Sequence, residues 1–137
     1  MAEVRVDNLR LRTFIGFNPE ERRKQQDVVI NVTLSYEANR GIADDEVAAA
    51  LDYKQITKAI ITYVESGRFL LLERLVADVL AIVARDDRVM RASVRIDKPH
   101  ALRFADSVSL TMSFDRESDT PPDVTCRDEF TSSEMRA

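Results

Sequence analysis

Apolar and polar residues alternate with period two along four stretches of the chain, and recur at helical spacing along two others between them. In residues 4–15, Val4 and Val6 share one face, and Leu9, Leu11, Thr13 and Ile15 keep step with each other. The phase slips at residues 7 and 8, which predicts a bulge or bend in the strand. Asn18-Pro19 marks a break, and E-E-R-R-K-Q-Q reads as a polar loop. A second strand spans 28–36, with Val28, Ile30, Val32, Leu34 and Tyr36 on one face and Asn31, Thr33 and Ser35 on the other. The connection between these strands is long for a plain hairpin, which marks it as a candidate functional loop. Residues 37–51 read as irregular. Asp52 is placed to cap a helix over 53–66, whose apolar stripe is Tyr53, Ile56, Ala59 or Ile60, Tyr63 and Val64. Gly67 is expected to end it in a left-handed conformation. A second helix is expected over 70–86, with Leu72, Leu75, Val76, Val79, Ile82 and Val83 as its stripe. Strands follow over 90–98 (Met90, Ala92, Val94, Ile96 inward) and 106–115 (Val108, Leu110, Met112, Phe114 inward).

The order ββααββ implies an α+β fold, an antiparallel four-stranded sheet with two helices on one face. The other face carries Arg, Ser, Thr and Asn, suited to solvent or to the inside of an oligomer. At 137 residues the chain is long enough for one domain with a real core. No apolar run reaches the length of a membrane helix, and the N-terminal residues lack the pattern of a signal peptide. The expected location is the cytoplasm. Charge then divides the chain. Residues 1–116 hold 18 basic and 18 acidic side chains, while 117–137 hold 6 acidic and 2 basic, so the whole net charge of −4 lies in the tail. The neutral body argues against a nucleic-acid binder. Residues 117–137, with Pro121-Pro122 and many Ser and Thr, read as a disordered acidic tail. The single cysteine, Cys126, excludes an intrachain disulfide and a Cys-rich metal site.

The candidate chemistry collects in I-D-K-P-H-A-L-R-F-A-D-S, residues 96–107. Lys98 keeps the parity of Val94 and Ile96, so step two turns an ammonium group toward the helix-covered face at the strand's end. A fraying strand would let that lysine reach back to water. The functional reading is an ammonium at the floor of a pocket, where burial favours proton transfer. Glu73, in the first turn of the second helix, suits the helix dipole; it equally suits a carboxylate that accepts paired N–H groups from a heterocycle. Tyr53 lies on an apolar stripe and reads first as core. Glu20 and Glu21 lie in a charged loop. His100 has no partner histidine or cysteine at ligand spacing, so no metal is expected. No G-x-G-x-x-G, Walker loop or G-x-S-x-G occurs.

Five stretches carry a resemblance: N-L-R-L-R-T-F-I-G at 8–16, Q-D-V-V-I-N-V-T at 26–33, A-L-D-Y at 50–53, R-F-L-L-L-E-R-L at 68–75, and the 96–109 segment. In this order and spacing the chain resembles the dihydroneopterin aldolase/epimerase family, over residues 4–116, and within it the triphosphate 2′-epimerase branch. Ile15, before Gly16, departs from many aldolases and favours that branch. The resemblance implies a tunnelling fold (T-fold) built into a homo-oligomeric barrel, in rings of four that stack into octamers, with active sites between subunits. It implies a small pterin substrate, no cofactor and no metal. It assigns Lys98 as the catalytic lysine and Glu73, with backbone groups near Leu72, as the pterin anchor. Tyr53 is the tyrosine supplied by an adjacent subunit, and Glu21 the glutamate near the trihydroxypropyl group.

The chemistry implied is a retro-aldol cleavage of C1′–C2′. The electrons enter the dihydropterin's own C=N bond, so no Schiff base is needed. Lys98 and Tyr53, with a bound water, shuttle protons. An aldolase releases the aldehyde, giving 6-hydroxymethyl-7,8-dihydropterin and glycolaldehyde. An epimerase retains it and re-forms the bond with C2′ inverted. A triphosphate is a handle for retention, and His100 and Arg103 are its candidate ligands, with Arg12, Arg22, Arg23 and Lys24 as further candidates. A catalytically silent pterin-binding subunit is a third reading, disfavoured by the joint presence of Tyr53, Glu73 and Lys98.

Overall fold

The computed structural model describes residues 1–45 and 50–120. Four long strands form the sheet: β1 (Ala2–Ile15), β2 (Gln26–Tyr36), β4 (Val89–Pro99) and β5 (Ser107–Asp115). They pair antiparallel in the order β1-β2-β4-β5. A fifth strand, β3 (Arg68–Phe69), adds two residues parallel to Phe14 and Ile15 of β1. Two helices, α3 (Tyr53–Glu65) and α4 (Leu72–Ala84), cover one face. Two short ones, α1 (Pro19–Arg23) and α2 (Asn39–Asp44), lie in stretches that read as loop or irregular. The expected order of elements stands, and β3, α1 and α2 are added to it. Beyond position 120 the expected tail, including Cys126, lies outside the described residues. The 117–119 turn folds back on the end of β5 through Ser118 and Asp119 amides donating to the Asp115 carbonyl.

The alternation works as read. Val28, Ile30, Val32 and Leu34 of β2 are buried, and so are Ala92, Val94 and Ile96 of β4, against Leu75, Val76, Val79 and Val83 of α4. The slip in β1 is a bulge between Val6 and Leu9. Asn8 there takes a positive φ of 56° and its N–H donates to the Asn31 side chain at 2.8 Å, a left-handed conformation that asparagine tolerates better than most residues. Met90 is not an inward residue. A register shift opposite Ser35 and Tyr36 puts Val89 in the core instead. Met112 is exposed because β5 is an edge strand.

Thr13, which kept step with leucines, is fully buried and donates its hydroxyl to the Val64 carbonyl at 2.6 Å. It thereby adds a second donor to a carbonyl at the end of α3 that the Gly67 amide reaches at 3.3 Å. Gly67 does not adopt the expected left-handed cap. Ser66 ends the helix in right-handed geometry, and Gly67 is needed for room: a Cβ there would fall 2.6 Å from the Phe69 ring. On the far face of the sheet, Arg5–Asp7 and Arg95–Asp97 ion pairs border a polar hollow of about 390 Å³. Among the described residues no helix is long and apolar enough to cross a membrane.

Candidate active site

The chain leaves β1 at Ile15 and turns at Gly16, whose φ of +122° side chains rarely adopt. Asn18 then caps α1. Its side chain accepts from the Glu21 amide at 2.9 Å, while the Glu21 carboxylate reaches back to the Asn18 amide at 3.4 Å. This is a capping box with Pro19 at the first helical turn. The geometry folds the Glu21 carboxylate over Gly16, where any Cβ would overlap its carboxyl carbon. Gln26, at the start of β2, locks the arrangement. Its side-chain amide donates to the Ile15 carbonyl at 2.6 Å and to Glu21 Oε2 at 3.3 Å.

The strand β4 brings the partner. Lys98 stays in the ladder opposite Val108, and Pro99 opposite Ser107, so the strand does not fray. The lysine's Nζ donates to Glu21 Oε2, forming an ion pair across 77 residues of sequence. Both side chains are largely enclosed, at 14% and 21% exposure. Burial on its own would raise the Glu21 pKa. The hydrogen bonds from Lys98, Gln26 and the Asn18 amide, with the Lys98 charge, outweigh it and hold the carboxyl below its usual value. Glu21 is therefore ionised at neutral pH.

A lowered carboxyl pKa fixes the sign of the linkage. Its stabilisation is full above the unfolded-state pKa and is lost as pH falls through the folded value. The melting-temperature gap between wild type and Glu21→Gln is therefore expected to be widest near neutral pH and to close below the ordinary carboxylate range. A gap that stays constant down to that acid range would contradict this.

Of the residues picked from sequence, the structure joins Glu21 to Lys98, and it is Glu21 rather than Glu20 that points there. Glu73 approaches the same end of the sheet by another route. The Gly16 amide donates to the Phe69 carbonyl at 2.9 Å, and residues 70 and 71 lead directly into α4. Leu71 is the N-cap and supplies no side-chain bond. Leu72 and the exposed Glu73 thus open a helix with uncapped amides. Among the described residues Glu73 makes no hydrogen bond or ion pair.

Tyr53 is not core: it is 48% exposed at the start of α3, beside Val4 and Val6 in the first half of β1. Those valines pair with Leu34 and Val32, well back along the sheet from Gly16. A single chain does not bring Tyr53 to Lys98. His100, after Pro99, takes a positive φ of 63°, and its amide donates to the Asp106 carbonyl at 3.4 Å to close the exposed 100–106 loop. Arg103 lies over the Phe104 ring at 5.5 Å. Arg12 is committed to Asp27 and the Gln25 carbonyl. Among the described residues, no three His, Cys, Asp or Glu side chains cluster as metal ligands would.

Residues 4–113 match the family model described as dihydroneopterin aldolase. The chain belongs to that family. Dihydroneopterin triphosphate 2′-epimerase of Escherichia coli K12 is 51% identical over 115 residues, 84% of this chain and 96% of that protein. The enzyme of the same name from Pseudomonas aeruginosa is 50% identical over 113 residues, 82% of this chain and 92% of that protein. In fold, the chain matches the crystal structure of Escherichia coli dihydroneopterin aldolase in complex with neopterin. The TM-score is 0.78, with 24% identity, 83% of this chain and 99% of that one covered.

Gln26 and Gly16 were missed by the sequence reading. The N-P-E-E run at 18–21 did carry a signal for α1, a capping-box spacing with proline at the first turn.

Proposed function

We propose that the chain is an isomerase that inverts C2′ of 7,8-dihydroneopterin triphosphate, giving the 7,8-dihydromonapterin triphosphate. The observation that carries this reading is the enclosed Glu21–Lys98 pair, an ionised carboxylate and an ammonium fixed against a glycine turn. Half identity to two proteins named as this epimerase selects the substrate. The pterin complex of the fold relative supports a pterin ligand.

In this reading the ring docks on Glu73 and the amides near Leu72. The Glu21–Lys98 pair takes the 2′-hydroxyl proton. The C1′–C2′ electrons move into the dihydropterin C=N bond, whose nitrogen gains a proton, leaving an enamine and an aldehyde. The aldehyde stays bound and turns over. The enamine carbon then attacks its opposite face, the ring nitrogen gives up its proton, and the new alkoxide is protonated. Tyr53 of a second subunit closes the site, which makes the functional unit an oligomer with shared pockets. His100 and Arg103 meet the triphosphate as it leaves the pocket.

The test is to incubate the protein separately with 7,8-dihydroneopterin triphosphate and with the unphosphorylated compound. Products are oxidised, dephosphorylated and resolved on a chiral column. Neopterin-to-monapterin conversion confined to the triphosphate is the expected result. Hydroxymethylpterin released from the unphosphorylated compound, with little epimer, would instead make the chain an aldolase.

A further inference from the structure

At the opposite end of β1 from Gly16, β1 and α3 enclose an open groove of about 600 Å³. Its floor is apolar. Its polar lining is Arg5, Tyr53, Lys54, Thr57 and Lys58, and no acidic residue takes part. Arg5 is held by the exposed Asp7 at 3.6 Å. The Thr57 hydroxyl is used on the Tyr53 carbonyl at 2.8 Å. Lys54 and Lys58 are exposed and make no ion pair or hydrogen bond among the described residues. They stand four apart on α3, one turn from each other, where like charges destabilise a helix. Two uncompensated ammonium groups in one groove suit a ligand with more than one negative charge.

Tyr53 places that groove. It shares the lining with both lysines and precedes the first of them directly. On the functional reading above, Tyr53 closes the site of an adjacent copy, so Lys54 and Lys58 arrive there with it. The Glu21–Lys98 wall of that site offers an ammonium that is already paired. The geometry points to Lys54 and Lys58 as a polyphosphate subsite, reaching from one subunit to the substrate held by the next. This inference rests on the proposed function. Retention of the cleaved aldehyde then depends on a second subunit gripping its charged end.

The experiment compares wild type, Lys54→Gln/Lys58→Gln and Lys54→Arg/Lys58→Arg, each checked for assembly by size-exclusion chromatography. KM is measured for the triphosphate, Kd for unphosphorylated dihydroneopterin by fluorescence, and binding of inorganic tripolyphosphate by calorimetry. Loss of two charge-assisted contacts should raise KM for the triphosphate by about tenfold or more while Kd for the unphosphorylated compound stays in place. Tripolyphosphate affinity should fall in parallel, and the Arg pair should restore both. A triphosphate KM that does not move, or an equal loss of affinity for both compounds, would overturn the subsite. If wild type turns over neither pterin, the functional reading fails, and the tripolyphosphate titration alone decides: weaker binding in the Gln pair keeps the anion site, and equal binding removes it.

Discussion

Lys98→Ala is expected to lower kcat on the triphosphate by about 10²–10⁴-fold, the range for a positioned proton-transfer group. Pterin affinity should stay within a few-fold, because the proposed ring anchor, Glu73, is carried by α4 and not by β4. The change also acts on Glu21. Without the ammonium, the carboxylate keeps only the Gln26 and Asn18 contacts, and burial then pulls its pKa upward. The acid limb of the kcat profile should therefore move to higher pH in the variant. A pH series of kcat, with pterin binding followed by fluorescence, separates this from a packing role. A lowered melting temperature with kcat and its profile intact would refute the catalytic assignment.

Glu73→Gln should weaken pterin binding by about 10²–10³-fold, since each hydrogen bond to a charged group contributes about 1.5–3 kcal/mol. The amide keeps the size of the side chain. It loses the charge and cannot accept two parallel N–H groups at once. The variant is a clean probe. Glu73 is exposed and has no partner among the described residues, so the fold should lose only a favourable helix-terminus charge, about 0.3–1 kcal/mol. Equilibrium binding of neopterin to the assembled protein checks it, and unchanged affinity would remove Glu73 as the anchor.

The main strands and helices could be read directly because each buries one face. Period two in β2 and helical spacing in α4 are imprinted by a single core, and the β1 bulge appeared as a break in phase. What was hidden has other causes. β3 is two residues long and exists only because Phe14 and Ile15 lie beside it, so no local pattern marks it. Gly67 was given a backbone reason when its reason is the Phe69 ring. Tyr53 shared a helical stripe with core residues, but in the first turn of α3 it borders the open groove beside Val4 and Val6 and is half exposed. At the site, Lys98 was legible from parity alone. Its partner was not, because periodicity describes faces and says nothing about which loop residue meets a strand 77 positions away.

That separation has a consequence for the order of folding. The hydrogen bonds within α3 and α4 span only one turn, and such local structure forms fast. The Glu21–Lys98 pair needs β2 and β4 in register, with Val29 opposite Asp97, before its two ends can meet. Closing so long a loop carries an entropic cost that only the finished sheet repays. A nascent or recovering chain therefore regains its helices before it regains its ionised couple. Turnover is a late witness of the native state, silent in every compact form that has not yet joined the two halves of the sheet.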